Sequence, residues 1–261
     1  VGKNMVRSIR HWCTAMSLIS STRLGTVGVT ELGRTLFAED GLDPYMEDIG
    51  TLWVLHWLLV RNAELAATWY LAFTRFAHVS FRREQLVRYL LSIVEVESPT
   101  TRVTESSVKR DVDVFVRTYV PSRSGRSATA MEESYDCPLV ELGIMREDDS
   151  GTLSFVVGPH PSLPDAVLAY AIIDYWDRER PDQLTLSFEE VMYGPGSPGA
   201  AFKLTENAFI ERLERLPEWT GLGFDETAGR RMLIRAHDRS DGMSVSALSI
   251  LRRYYETEGE C

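Results

Sequence analysis

The segment 187-SFEEVMYGPGSPGAAFKLTENAFIERL-213 sets the reading of the whole chain. Ser187 is placed to cap a short helix ending near Tyr193, because its side-chain oxygen takes up a free N–H of the first turn. Residues 194–199 hold three glycines and two prolines and interrupt that helix. Thr205 then caps a second helix running to Leu216, with Phe209, Leu213 and Leu216 recurring on its inward face. Beyond it, 222–224 and 230–235 pair as a hairpin around residues 225–229. Short helix, turn, amphipathic helix and hairpin is the order of a winged helix, whose second helix sits in a DNA groove. A helix over 165–180 precedes this unit. Another over 244–255 closes it, with Arg252 and Arg253 near the end where cations suit the helix dipole.

The same order recurs upstream. Residues 81–94 and 104–119 read as helices, the second capped by Thr104 and carrying Val108, Val112, Phe115 and Tyr119 on one stripe. A polar loop over 122–134, with Arg123 and Arg126, leads to a short helix at 138–142. A hairpin over 144–157 turns at Asp148-Asp149-Ser150-Gly151. Near the start, 3–18 reads as a helix with Val6, Ile9, Cys13 and Met16 as its buried stripe. Residues 22–29 would be its wing, and Thr30 caps a helix over 31–37. Between these units lie two apolar helices, 51–61 and 65–76. Trp53, Trp57, Trp69, Tyr70 and Phe73 read as packing between them in preference to a base-stacking platform. The fold class is therefore mainly α, with multiple winged helix-turn-helix units and short β-hairpins. Its divisions are 1–40, 41–80 (a helical linker domain), 81–160 and 161–261. The sequence opens Val-Gly-Lys just ahead of a helix, so the first unit is expected to be incomplete.

Hydrophobic residues make up 44% of the 261, enough for a sizeable core. The formal net charge of −10 argues against a general basic field for nucleic acid, so any DNA contact must be a local patch. Cys13, Cys137 and Cys261 are too widely spaced for a disulfide framework or zinc site, which fits a reducing cytoplasm. No apolar run is long enough for a membrane span. No phosphate-binding glycine loop, zinc ligand cluster or nucleophile elbow is present.

Lys3, Arg7 and Arg10 share a helix face flanked by Asn4 and His11, and Asn4 is the type of residue that reads a base edge. On the second unit Lys109, Arg110 and Arg117 offer further cations, although Arg110, Asp113 and Arg117 are spaced to pair with one another. Arg230, Arg231 and Arg235 lie on the last hairpin and could touch a DNA backbone. The mixed face of Glu206, Glu211, Arg212, Glu214 and Arg215 favours a protein contact. The loop 194–199 could approach a phosphate but reads more readily as a connection. Asp43, Glu47, Asp48 and His56 form an acidic group that could hold a divalent metal such as Mg²⁺ or Mn²⁺ and are the candidate catalytic residues, with Asp48 and His56 on similar sides of one helix about two turns apart. Helix capping accounts for its acids equally well. Asp111 and Asp113 point opposite ways on a helix and do not form a metal pair.

Several strings together carry a wider resemblance: 41-GLDPYMED-48, 50-GTLWVLHW-57, 108-VKRDVDVF-115 with 118-TY-119, 137-CPLVELG-143, and 195-PGSPG-199 with 202-FKL-204. The sequence resembles a bacterial family of domains associated with DNA phosphorothioation clusters, over nearly its whole length. That resemblance implies work on double-stranded DNA beside sulfur-transfer proteins, in a system that also serves phage defence. It implies DNA binding and strand nicking, opening the backbone where sulfur replaces oxygen. It supplies no catalytic residue, and the acidic-plus-lysine signatures of common nucleases are missing. The alternative is a non-enzymatic adaptor that places a sulfur-transfer ATPase on DNA. A transcriptional regulator follows from the fold alone. A homo-oligomer is compatible with either of the first two readings.

Overall fold

The computed structural model describes residues 2–21, 26–97, 102–122, 136–227, 229–235 and 245–258. Helix α1 (Lys3–Ala15) runs into the hairpin β1 (Ile19–Ser21) and β2 (Val27–Val29), paired antiparallel with Ile19 opposite Val29. Helix α2 (Glu31–Phe37) follows, and its cap Thr30 accepts the Gly33 N–H. Helix α3 (Ile49–Val60) is capped by Asp48. Helix α4 (Ala67–Thr74), strand β3 (Ser80–Phe81), helix α5 (Arg83–Glu97) and helix α6 (Glu105–Tyr119) complete the first half. A 3-10 turn (Pro138–Leu142) precedes the hairpin β4 (Met145–Glu147) and β5 (Leu153–Phe155). Then come α7 (Asp165–Glu179), β6 (Thr185–Ser187), α8 (Phe188–Tyr193), α9 (Pro198–Ala201), α10 (Glu206–Glu214), β7 (Leu222–Thr227), β8 (Arg230–Arg235) and α11 (Ala247–Glu258).

The chain is mainly α, as expected, with three small antiparallel sheets among the described residues. Two of those sheets have three strands, in the orders β3-β5-β4 and β6-β8-β7. Strands β3 and β6 are two and three residues long, and the sequence pattern does not disclose them. Each ties the start of a helix pair to its later hairpin, Phe81 opposite Leu153 and Leu186 opposite Leu233. The pattern strand, helices, hairpin thus occurs twice among the described residues, with α5 and α6 in the first unit and α8, α9 and α10 in the second. In each case the last helix packs against the first. Helix α5 lies along α6, and Phe188 of α8 meets Phe209 of α10 with ring centres 5.7 Å apart.

Helix α3 is the axis of the core. Eleven of its twelve residues are buried, so it has no polar face, which is how a helix enclosed on all sides reads. Trp53, Trp57, Phe73, Phe115, Tyr119, Trp176 and Phe202 form one continuous aromatic and aliphatic interior around it. The packing assigned to Trp53, Trp57, Trp69 and Phe73 is what the structure shows, while Tyr70 of the same set is only half-buried.

One expectation is reversed. Helix α1 is amphipathic, but its stripe is not buried: Val6 is 53% and Ile9 54% exposed, beside Met5 at 58%. Only the later turns of α1 reach the body, where Trp12 meets Trp69 edge-on at 5.0 Å.

Candidate nucleic-acid interface

Helix α1 presents a set of exposed donors, of which His11 lies near the Asp111 carboxylate of α6. Lys3, Asn4, Arg7, Arg10 and His11 are all exposed. Lys3, Arg7 and Arg10 stand three and four residues apart and therefore form one row along the helix. The surrounding sequence sharpens this bias. Residues 1–30 contain four Lys or Arg and no Asp or Glu, whereas the whole chain has 28 basic and 38 acidic residues. A −10 chain thus opens with a basic stretch of sequence, and three of its cations stand exposed on α1.

The second row is weaker. Lys109 Nζ lies 2.6 Å from Glu105, one turn back along α6. Arg110 is exposed. Arg117 is exposed too, but its Nε donates to the Asp113 carbonyl at 3.2 Å, and the Asp113 carboxylate instead faces Arg83 at 3.8 Å. The expected pairing along α6 is therefore replaced by a contact to α5. Arg117 and the end of α1 line the same open groove, which also holds Trp12 and Cys13. Asp111 of the same helix has its pKa raised by burial, partly offset by the charge of His11.

The last hairpin contributes least. Arg230 is exposed. Arg231 is held by Glu206 at 2.5 Å and Glu189 at 3.2 Å, with its guanidinium 4.3 Å over the Phe188 ring. Arg235 pairs with Asp177 at 2.5 Å and donates to the Val245 carbonyl. A phosphate would have to displace these carboxylates. The mixed face of α10 is likewise used within the chain. Arg212 is 3% exposed and donates to the carbonyls of Pro159, His160 and Leu163 and to Asp165, while Arg215 reaches Asp165 at 2.6 Å. The segment 194–199 is no phosphate cradle, since Gly196 to Gly199 are buried and Ser197 caps α9.

The acidic group resolves into caps and core. Asp43 accepts the Glu47 and Asp48 N–H groups at 2.9 and 3.1 Å and the Thr51 hydroxyl at 2.5 Å. Asp48 accepts the Gly50 N–H at 2.5 Å and the Tyr254 hydroxyl at 2.9 Å. Glu47 is exposed. His56 is wholly buried, with Nδ1 2.8 Å from the Tyr119 hydroxyl and Nε2 3.0 Å from the Ala201 carbonyl. A carbonyl only accepts, so Nε2 carries the proton and Tyr119 donates to Nδ1. Both ring nitrogens are occupied. Burial lowers the His56 pKa to about 3, opposed by the bond to Ala201. Asp48 and His56 are eight residues apart, about 12 Å along a helix. These residues do not fit a shared divalent metal. Among the described residues no group of three or more His, Cys, Asp or Glu is placed to hold one.

With this geometry in view, comparison with known proteins is decisive on family. Residues 1–255 match the family described as a protein of unknown function, DUF4007. The chain belongs to the DUF4007 family. Two solved structures are similar to it. An SspB crystal structure has a TM-score of 0.84 at 31% identity, covering 98% of this chain and 76% of that one. A magnesium ion-bound SspB crystal structure has a TM-score of 0.85 at the same identity and coverage. No curated protein matches the sequence. This DUF4007 chain has no described helix long and apolar enough to cross a membrane.

Proposed function

We propose that this chain is the DNA-engaging component of a bacterial DNA phosphorothioation and phage-defence system, acting in the cytoplasm beside sulfur-transfer proteins. The observation that carries the reading is the α1 row of Lys3, Arg7 and Arg10, exposed on the first helix of an SspB-like fold. Asn4 on the same helix supplies a side chain able to read a base edge. The described units, helix–hairpin at the start and a strand, helices and a hairpin twice afterwards, serve as winged helices within the divisions 1–40, 41–80, 81–160 and 161–261. Lys109, Arg110, Arg117 and Arg230 add backbone contacts, and Arg231 joins them only by exchanging Glu206 and Glu189 for phosphate.

Strand nicking is the activity proposed for that bound state, as the family resemblance implies. The magnesium-bound SspB relative supports a divalent ion as its cofactor. Asp43, Asp48 and His56 are structural here, so no step is assigned to them. Their engagement favours the second reading, a non-enzymatic adaptor that delivers a sulfur-transfer ATPase to DNA. A supercoiled plasmid assay with and without Mg²⁺ or Mn²⁺ separates the two. Metal-dependent open circles lost in Arg7→Ala support the nickase. A gel shift lost in Arg7→Ala with no open circles under any condition supports the adaptor. No shift and no nicking would overturn both.

A further inference from the structure

Lys203 stands apart from the other cations packed into the fold. Arg61, Arg212 and Arg235 each meet an aspartate, Asp174, Asp165 and Asp177 in turn. Lys203 donates instead to the Phe73 carbonyl near the end of α4, at 2.5 Å. Its Nζ also lies 4.4 Å from the centre of the Phe155 ring and 5.6 Å from that of Phe73. A carbonyl and two ring faces replace part of the water that the ammonium has lost, but none carries a full negative charge. Burial is what acts on its pKa, which falls to about 8. The backbone is unusual at the same residue. Lys203 holds φ 51°, in the left-handed region where glycine is the unstrained choice. Strain of this kind collects at binding sites.

Lys203 lines a recess of about 430 Å³ between the end of α4 and the turn from α8 to α9. That volume lies in the range of small-molecule sites. Phe76, Val157, Met192 and Leu204 make its walls largely apolar. Arg75 and Tyr193 line it as well but are engaged elsewhere. Arg75 pairs with Glu97 at 2.8 Å, and the Tyr193 hydroxyl donates to Glu206 at 2.7 Å. Of the three hydrogens on the Lys203 ammonium, the Phe73 carbonyl takes one and two remain.

We propose that this recess binds a small apolar molecule bearing one carboxylate, whose oxygens accept from the two remaining N–H groups of Lys203. One negative charge balances one ammonium and supplies the pairing that the three arginines already have. A phosphate dianion would leave a net charge between apolar walls, which is costly.

Isothermal titration calorimetry of this chain with 3-phenylpropionate, in the absence of DNA, tests the proposal. Binding is expected at pH 7. It should weaken about tenfold or more for 3-phenylpropionamide and in Lys203→Met, because a charge-assisted hydrogen bond is lost. Affinity should fall about tenfold from pH 7 to pH 9, as the protonated fraction of Lys203 falls. The neighbouring groups hold their charge in that window. Burial keeps His56 and His160 neutral, the bond to Glu206 raises the Tyr193 phenol, and Glu97 raises the Arg75 guanidinium. Lys203→Arg should bind without this pH dependence. Val157→Trp, at a half-exposed site, fills the recess and should abolish binding with Lys203 in place, which keeps the test intact if Lys203→Met does not fold. Equal affinity for acid and amide, tighter binding of phenyl phosphate, unchanged affinity in Val157→Trp, or no heat with any probe overturns the proposal.

Discussion

His56→Gln is the substitution that isolates the chemistry of the core. The imidazole is buried and neutral, donating from Nε2 to Ala201 and accepting at Nδ1 from Tyr119. Its pKa falls from 6.5 in the unfolded chain to about 3 in the fold, chiefly through burial. Between those values the unfolded state binds a proton that the native state refuses. Stability therefore rises with pH across this window and is lost as pH falls from 6.5 toward 3. At 1.36 kcal/mol per unit the full effect is about 5 kcal/mol, of which about 2 kcal/mol is lost between pH 7 and pH 5. Burial lowers the His160 pKa as well and adds in the same direction. Glutamine can donate to Ala201 and accept from Tyr119 but does not titrate. The variant should lose about 1–3 kcal/mol at pH 7, a cost typical of an imperfect buried pair, and its further loss on going to pH 5 should shrink by about 2 kcal/mol relative to wild type. Urea unfolding followed by tryptophan fluorescence at both pH values measures this directly. An identical pH 7 to pH 5 difference in the two proteins would refute a neutral, proton-excluding His56.

Three further perturbations probe other parts of the fold. Arg212→Met strands the carbonyls of Pro159, His160 and Leu163 together with Asp165. A loss of about 3–5 kcal/mol and a fall in Tm of about 10 °C are expected, and a fall under about 3 °C would contradict that role. Asp48→Ala removes the α3 cap and the Tyr254 bond. It should cost about 1–2 kcal/mol in urea unfolding while leaving gel-shift affinity unchanged, and lost affinity at full stability would point to DNA contact instead. Gly33→Ala places a Cβ against the Leu18 carbonyl, which already accepts from Thr30. The clash should outweigh the roughly 1 kcal/mol that alanine gains over glycine in a helix, and a raised Tm would show that the hairpin yields.

What could be read from the sequence was mostly local. Thr30, Thr104, Ser187 and Thr205 cap the helices they precede, because a cap bonds to an N–H only three residues on. The α6 and α10 stripes follow from helical spacing. Strands β3 and β6 escaped because two or three residues carry no alternation, and α9 escaped because one turn carries no period. The availability of cations was the hardest to judge. Arg231 is neutralised by Glu189, 42 residues away, and Arg212 by Asp165, 47 residues away. The acids near His56 suggested a metal because their sequence proximity was visible. The partners that engage His56 lie 63 and 145 residues off. Periodicity made α1 amphipathic but could not say what covers it.

The two tyrosines at the end of α11 set a timetable for synthesis. Asp48 and Thr51, at the start of α3, receive the hydroxyls of Tyr254 and Tyr255, which follow 206 and 204 residues later. The most apolar of the described helices therefore leaves the ribosome long before its last polar bonds are supplied. Until then its twelve residues must be shielded by partial collapse or by a chaperone. A ribosome stalled before Tyr254 would release a polypeptide with that helix incompletely closed, a natural substrate for quality-control proteases.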